Sequence, residues 1–398
     1  MSALHTPLAG MRVLEFGHIA AVPFCGMLLA DLGADVVKVE PPLGDGLRSW
    51  PPIVEAADGD RYSLNFAALN RGKRSIVADL KNADDLTRTR RLCAVADVVI
   101  ENYRPGVLDR LGVGFEEVAK LQNEIVYCSI SGYGQRGRYA RRGAFDVVIQ
   151  GMSGLMSVTG EEDGPPAKCG VPVGDFTAAL YAAYTILAAR GVAQREHRAI
   201  HLDCPMLDCL LGISGLQTSE YWGTGIAPKR LGSAHPRNAP YQIYDASDGP
   251  FVVAAGNDAL WEQVCEATGG SELLDDPRFA TLAERAKNQK ALTAILQDIF
   301  QKRSVAQWIE VLEERGVPCG PVNTFADILG DASLVASGLI QELAVPVAGK
   351  TKTVSYPVQL NATRIRVGQP PPRLGEHTNE VLAEWTSTPT SATAAGGA

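Results

Sequence analysis

The chain has 398 residues, a length that predicts two or three domains at roughly 150 residues each. Hydrophobic residues make up 46% and charged residues 21%, the composition of an ordinary soluble globular protein. Asp plus Glu (45) outnumber Lys plus Arg (37), so the formal net charge is −8, which argues against nonspecific nucleic-acid binding. The eight cysteines include no CxxC pair, and we expect reduced thiols in a cytoplasmic protein. Because no apolar run approaches ~20 residues, we expect no membrane partner.

The first half of the chain alternates short β-branched runs with helical patterns. The predicted strands are Met11–Phe16, Ala34–Glu40, Ser75–Leu80, Ala96–Asn102 and Ile125–Gly132. Helical spacing follows in segments such as Pro105–Leu121, and Asp175–Arg190 carries apolar residues at i, i+3 and i+4. This alternation predicts an α/β fold with a parallel sheet that is covered on both faces.

The second half has a different pattern. Thr218–Asn238 is rich in Gly, Pro, Ser and Arg, which is typical of a linker. A hairpin is predicted over Tyr241–Ala246 and Pro250–Ala255, with helices within Asp258–Thr268, Thr281–Gln301 and Ser304–Arg315 and strand-like pieces near Tyr356–Val367. We therefore expect a large domain over 1–200, a linker over 201–237, a small α+β domain over 238–330, a linker and return to the large domain over 331–385, and a disordered tail over 386–398.

Two motifs of weak specificity point to nicotinamide and metal sites. Gly132–Gly137 is formally GxGxxG and follows a predicted strand, but the next residues do not begin an amphipathic helix, as a dinucleotide site requires. His197 and His201 are four residues apart, yet a strand begins between them, so the two rings would not share a helical face. We therefore expect neither a nicotinamide cofactor nor a metal.

Two basic segments stand out in a chain of negative net charge. Asn70–Arg74 precedes one predicted strand, and Asn102–Gly106 follows another, with Arg110 one helical turn later. Ligands of parallel sheets bind outside the carboxyl ends of the strands, and Arg and Lys suit phosphate. A phosphorylated ligand and an ordinary solvated turn both remain open on spacing alone.

Gly174-Asp175-Phe176 begins an apolar helix. A carboxylate in the first turn lies where the helix dipole favours an anion, by roughly 0.3–1 kcal/mol. A simple N-cap is the competing interpretation, for Asp175 and equally for Asp146, which follows Phe145 near the start of another helix.

In these residues the chain resembles the family III CoA-transferases of the CaiB/BaiF type, over about residues 8–383. The resemblance rests on Leu8–Phe16, Leu32–Glu40, Asn70–Ser75, Asn102–Gly106, Ser131–Gln135, Phe145-Asp146, Met152–Met156, Val173–Phe176, Asp276–Phe279, Val317–Val322 and Leu374–Thr378. It implies a large doubly wound, Rossmann-like domain and a smaller α+β domain in an interlocked homodimer.

The resemblance also implies a reaction and its residues. The nucleophilic aspartate of the family falls on Asp175, which overrides the N-cap interpretation. A carboxylate with pKa near ~3.9 would need no general base. It would attack an acyl-CoA thioester, possibly succinyl-CoA, and form an aspartyl anhydride and then an aspartyl-CoA thioester that a second carboxylic acid attacks. The positions implied to bind coenzyme A are His18, Ala20, Ala21, Asn70, Gly72, Lys73, Asn102, Tyr103, Arg104, Arg110, Arg142 and Phe145.

At two positions this chain differs from relatives that catalyse other reactions, which makes racemisation and formyl-CoA transfer less favoured. Related 2-methylacyl-CoA racemases place His where this chain has Phe145, so two-base proton transfer lacks one partner. Formyl-CoA transferases carry a long glycine-rich loop, whereas Asn238–Gly249 is compact. A racemase or isomerase, a non-catalytic CoA-binding protein and a nucleotide-binding redox domain remain the alternatives.

Overall fold

The structure is a computed structural model that describes residues 6–347 and 349–387. The tail predicted to be disordered lies outside the described residues, apart from residues 386 and 387, which end the last helix. The strands in chain order are β1 (Arg12–Phe16), β2 (Asp35–Glu40), β3 (Ile53–Glu55), β4 (Arg61–Ser63), β5 (Lys73–Val77), β6 (Val98–Glu101), β7 (Val126–Ser131), β8 (Ile200–Pro205), β9 (Tyr241–Asp245), β10 (Pro250–Ala254), β11 (Cys319–Pro321), β12 (Ile340–Val345), β13 (Gly349–Val354), β14 (Gln359–Leu360) and β15 (Thr363–Arg364).

The helices are α1 (Ala21–Asp31), α2 (Leu64–Asn70), α3 (Ala83–Cys93), α4 (Val107–Arg110), α5 (Phe115–Leu121), α6 (Asp146–Met152), α7 (Val173–Glu196), α8 (Met206–Ile213), α9 (Gly215–Thr224), α10 (Asp258–Thr268), α11 (Leu282–Lys287), α12 (Gln289–Phe300), α13 (Val305–Glu313), α14 (Phe325–Gly330), α15 (Ala332–Ala336) and α16 (Thr378–Ser387).

One six-stranded sheet organises the first half of the chain, in the order β5-β2-β1-β6-β7-β8. All its strands are parallel, and Leu14 of β1 pairs with Val37 on one side and Val99 on the other. The chain moves outward from β1 to β2 and later returns to β6 on the opposite side, so the strand order reverses between β1 and β6. Open α/β sheets bind ligands at such a switch point, outside the carboxyl ends of the strands. The predicted mixed α/β fold with a large parallel sheet is confirmed.

Alternate residues of the strands supply two apolar layers, one on each face of this sheet. Val13 and Cys128 belong to the layer that packs against α1, α7 and α8. Leu14 and Tyr127 belong to the opposite layer, which Trp385 of α16 completes. Burial on both faces explains why these strands are nearly continuous in apolar residues.

Helix α7 is the longest helix of the described residues. By length and composition it could cross a membrane, but Ala178, Ala182, Ile186 and Ala193 are buried in the layer that covers the sheet. Small alanine side chains let the helix approach the strands closely. Its first turn consequently lies at the carboxyl edge of the sheet.

The chain forms two compact units. The first comprises Met1–Leu155, Cys169–Ser219 and Ala332–Ala398, and the second comprises Met156–Lys168 and Glu220–Asp331. The second unit has a three-stranded antiparallel sheet in the order β11-β10-β9, and its apolar core includes Trp261, Phe300 and Trp308.

Two stretches differ from the sequence predictions. The predicted linker 201–237 begins with β8 and continues through α8 and α9, so the irregular part starts only after Thr224. Helix α9 buries no residue, and its sequence therefore lacks the apolar periodicity that would have indicated a helix. The helical pattern of Pro105–Leu121 divides into α4 and α5, because Gly112 between them takes a positive φ of 79°.

Candidate active site

The loops that follow β1 and β6 are joined at the switch point of the sheet. The His18 backbone N–H donates to Oδ1 of Asn102 at 3.0 Å, and Nδ2 of Asn102 donates to the His18 carbonyl at 3.0 Å. The His18 Nε2 and the Tyr103 hydroxyl are 2.9 Å apart. Burial lowers the pKa of His18, so its imidazole is neutral near pH 7. Three residues predicted from the sequence are therefore brought together here.

A buried ion pair stabilises the loop that follows β1. The Lys38 ammonium donates to the Gly17 carbonyl at 2.7 Å and pairs with Asp45 at 2.9 Å. Asp45 in turn accepts the Ile19 backbone N–H at 3.1 Å. Ile19 has a φ of 67°, a strained conformation for a β-branched residue that the surrounding bonds must maintain. Sequence reasoning missed Lys38 and Asp45, although a lysine within an apolar strand is itself an unusual signal.

The first turn of α1 offers backbone donors beside this loop. Within residues 6–347 and 349–387, the N–H groups of Ala20, Ala21 and Val22 have no hydrogen-bond acceptor. Phe24 packs against Phe176 with ring centroids 4.5 Å apart, which sets the first turns of α1 and α7 side by side. Unpaired N–H groups at a helix start can stabilise an oxyanion.

Asp175 is the third residue of α7, and its carboxylate has no hydrogen-bond partner among the described residues. A carboxylate at this position usually accepts the backbone N–H of the N-cap residue, but the N-cap here is Pro172, which has no N–H. Asp175 is therefore not the N-cap that the competing interpretation required, and its carboxylate is free to react.

The ionisation of Asp175 differs from the expectation. Burial and the negative charge of Asp146 raise the pKa of Asp175 to about 7. The pKa lies above the expected ~3.9 because burial, and after it the charge of Asp146, disfavour the ionised form, and the sequence shows neither. Near neutral pH the Asp175 carboxyl group is therefore present in both its protonated and its ionised form.

Asp146 also is not the N-cap of its own helix, whose N-cap is Phe145. Its Oδ1 accepts the Gly174 backbone N–H at 2.7 Å, and its Oδ2 accepts Nε2 of Gln150 at 2.6 Å. Asp146 of α6 thus satisfies an orphan donor at the start of a different helix, α7. A Cβ atom on residue 174 would lie 2.9 Å from Asp146 Oδ1, so glycine is needed next to Asp175.

Lys73 was expected to bind coenzyme A, but its ammonium is fully buried. It donates to the Pro23 carbonyl at 2.8 Å and to Asn70 Oδ1 at 2.9 Å, and it pairs with Glu15 at 2.8 Å. Burial lowers the pKa of Lys73 to about 8. Two hydrogens of the ammonium are donated, its charge is paired with Glu15, and Asn70 is equally buried, so Lys73 and Asn70 stabilise the core and are not placed to contact a phosphate.

The rest of the first basic segment is neutralised by acids. Arg71 pairs with Asp31 at 2.7 Å, and Arg74 pairs with Asp35 at 2.5 Å. Gly72 between them turns with a φ of 75° and lines a cavity of about 1240 Å³. This segment lies at the amino ends of β2 and β5, the edge opposite Asp175. The sequence alone could not distinguish the two basic segments as ligand sites, because it does not show at which edge of the parallel sheet each segment lies.

The second basic segment remains available to a ligand. Arg104 and Arg110 follow β6, are exposed and form no ion pair among the described residues. A Cβ atom on Gly143 would lie 3.4 Å from Nη2 of Arg104, so this loop meets the Arg142 segment. Arg142 is also exposed, and its guanidinium lies 4.6 Å from the centre of the Tyr139 ring.

Phe145 is 72% exposed and directly precedes Asp146, whose carboxylate contacts α7.

The two weak motifs of the sequence lie in separate elements. The Gly132–Gly137 segment has no helix after it until α6. His197 is the C-cap of α7, whereas His201 lies in β8. In the described part of the chain no three His, Cys, Asp or Glu side chains are grouped to hold a metal ion.

Comparison with known proteins identifies relatives of this arrangement. Residues 8–378 match the family model described as CoA-transferase family III. The succinate–glutarate CoA-transferase of Agrobacterium fabrum is 40% identical over 95% of both chains, and the succinyl-CoA:glutarate CoA-transferase of Mus musculus is 36% identical over 95% of this chain and 86% of its own. The crystal structure of a CAIB/BAIF family protein from Brucella suis superposes with a TM-score of 0.86 at 39% identity, covering 96% of this chain and 99% of that one.

Proposed function

The chain belongs to CoA-transferase family III, and we propose that it moves coenzyme A from succinyl-CoA to a second dicarboxylic acid through a covalent intermediate on Asp175. Several relatives at 35–40% identity are named for succinyl-CoA or succinate together with glutarate or mesaconate, and one at 39% over 81% of this chain is named acetyl-CoA:oxalate CoA-transferase. Glutarate is the proposed acceptor, since the relatives named for it are 40%, 36% and 35% identical over 95% of this chain.

The observation that carries the proposed mechanism is the free carboxylate of Asp175. Ionised Asp175 attacks the thioester carbonyl of succinyl-CoA, the C–S bond breaks, and a mixed anhydride and the CoA thiolate result. The thiolate then attacks the Asp175 side-chain carbonyl, which releases succinate and leaves an aspartyl-CoA thioester. Glutarate attacks that thioester, the C–S bond breaks to release the CoA thiolate, and a second anhydride with Asp175 forms. The thiolate attacks the glutaryl carbonyl, which gives glutaryl-CoA and restores the carboxylate.

Two groups of residues serve this sequence. The N–H groups of Ala20 and Ala21, beside the first turn of α7, are suited to the oxyanions that form at the attacked carbonyls. Arg104, Arg110 and Arg142 form no ion pair among the described residues, and their guanidinium groups are suited to the phosphates of coenzyme A. Retaining the thiolate beside Asp175 makes its return effectively intramolecular.

We further propose that the enzyme is an interlocked homodimer in the cytoplasm. Helix α9 has no buried residue, and it exposes Leu216 and 77% of Trp222. Leu180 of α7 and Ile213 of α8 are also about half exposed. Exposed large apolar side chains of this kind are typical of an interface between subunits. A stable folded monomer in light scattering would contradict the dimer.

The reaction is tested with succinyl-CoA and isotope-labelled glutarate, followed by mass spectrometry of the CoA products. We expect label in glutaryl-CoA with the wild type and none with Asp175→Asn. Hydroxylamine added during turnover should convert Asp175 to its hydroxamate. Full transfer by the Asp175→Asn variant would refute the covalent mechanism. Deuterium exchange at Cα of an acyl-CoA without coenzyme A transfer would instead indicate a racemase.

A further inference from the structure

A continuous set of hydrogen bonds surrounds the start of α7. Gln150 is fully buried, accepts the Cys169 backbone N–H through Oε1 at 2.8 Å, and donates through Nε2 to Asp146. Asp146 then accepts the Gly174 N–H with its other oxygen. The set connects α6, the segment at Cys169 and the residue before Asp175. Both Asp146 oxygens are thereby fixed in direction.

No cation neutralises Asp146 among the described residues, although Asp175 is close enough to respond to its charge. The other elements that pack at this turn present apolar groups, Phe24 from α1 and Met206 from α8. The negative charge of Asp146 is therefore the electrostatic feature that the protein places next to the reactive carboxylate.

We propose that Asp146, held by Gln150 and the Gly174 N–H, is a positioning residue whose fixed negative charge destabilises free Asp175 and so favours its acylated form. The inference rests on the proposed function, because it concerns the covalent step at Asp175.

The charge of the Asp175 side chain changes when it is acylated. The free carboxylate is an anion beside a second anion, whereas the acyl anhydride and the CoA thioester of Asp175 are neutral. Acylation removes the repulsion just as protonation does, so a higher pKa and a larger acylated fraction have the same origin. Burial at this turn strengthens both effects because water screens the two charges less.

A role for Asp146 as a helix cap alone would require only its hydrogen bonds. The double variant Asp146→Asn/Gln150→Glu separates the two roles. Its new amide at position 146 can still accept the Gly174 N–H through oxygen and donate through nitrogen to the new carboxylate at position 150, which also accepts the Cys169 N–H. All the hydrogen bonds are retained, while the negative charge moves one side chain away from Asp175. In the single variant Asp146→Asn the new amide would instead face the Gln150 amide, donor against donor.

The experiment uses the full chain with succinyl-CoA and glutarate, and it measures the pH profile of kcat/KM and the fraction of enzyme trapped by hydroxylamine. We expect the double variant to lower the midpoint of the rising limb by about one pH unit and the trapped fraction about tenfold, the equilibrium equivalent of that shift. We expect its KM for succinyl-CoA to stay within about twofold of the wild type.

A double variant with the wild-type midpoint and trapped fraction would overturn the inference and leave Asp146 as a cap. Asp175→Asn is measured in parallel. If that variant transfers coenzyme A, the proposed mechanism fails; if it is inactive and the double variant resembles the wild type, only the role of Asp146 fails.

Discussion

The raised pKa of Asp175 predicts that removing this carboxylate stabilises the protein at high pH. Its pKa rises from 3.8 to about 7 on folding, so the unfolded chain releases the proton first. The resulting cost is absent below about pH 4, grows as the pH rises to about 7, and is constant above that value. One pKa unit corresponds to about 1.4 kcal/mol, which gives an upper limit of about 4 kcal/mol at pH 8.

Solvent reaches part of the Asp175 side chain and reduces that limit to about 2 kcal/mol. Asn has nearly the shape of protonated Asp and never ionises. We therefore expect Asp175→Asn to raise the free energy of unfolding by about 2 kcal/mol at pH 8 and by a smaller amount at pH 5. Urea denaturation at the two pH values and one protein concentration measures the difference.

Asp298→Asn provides the control, because Asp298 is exposed on α12 and has no hydrogen-bond partner among the described residues. Its effect should be within about 0.5 kcal/mol at both pH values. Asp175→Asn that stabilises the protein no more at pH 8 than at pH 5 would refute the reasoning, since ionisation of Asp175 would then carry no cost.

Three further predictions concern the same region. The kcat/KM for coenzyme A transfer should rise with pH through about 7, because the proposed attack requires ionised Asp175; an initial-rate profile that is flat from pH 5.5 to 8.5 (about three pH units) would contradict this. Gly174→Ala should lower the transfer rate about tenfold or more, because the new Cβ would lie 2.9 Å from Asp146 Oδ1. Gly191→Ala in the same helix is the control: its Cβ would meet open space, and it should stabilise the protein by about 0.5–1 kcal/mol in urea denaturation. Lys73→Ala should lower the free energy of unfolding by about 3–5 kcal/mol, because Glu15 and Asp45 would then share Lys38 alone and one buried negative charge would be uncompensated. Arg104→Ala should instead raise KM for succinyl-CoA and leave stability within about 0.5 kcal/mol; the opposite pattern would restore Lys73 as a ligand contact.

The sequence predicts the parallel sheet because its strands are short, β-branched and buried on both faces. It also identifies Asn102 and Tyr103 as residues at a carboxyl edge, since they directly follow a strand. The sequence does not show side-chain partners from distant elements. Lys73 is separated from its partner Glu15 by 58 positions, and only the folded sheet reveals that this lysine faces the core.

Lys73 and Arg104 show why basic residues in a βα protein need structural evidence before they are assigned to a phosphate. Both lie near strand ends in sequence, and both suit an anion by charge. The first begins β5 and is buried against Glu15, whereas the second follows β6 and is exposed. The two residues differ in the end of the strand at which they lie, the amino end for Lys73 and the carboxyl end for Arg104. A sequence motif does not show this unless the strand boundaries are known.

Asp175 shows how a general rule can give the wrong sign for one residue. A helix N-terminus stabilises a carboxylate in its first turn because free N–H groups point at it, and this lowers the pKa. Here Pro172 removes one of those donors, and Asp146 accepts another, the Gly174 N–H. The N–H group of the helix start thus stabilises Asp146 and not Asp175, and the charge of Asp146 then opposes the ionisation of Asp175. In the proposed mechanism, burial, one proline and one additional carboxylate therefore turn a helix start that would ordinarily favour an ionised carboxylate into a position where acylation of Asp175 removes an unfavourable charge.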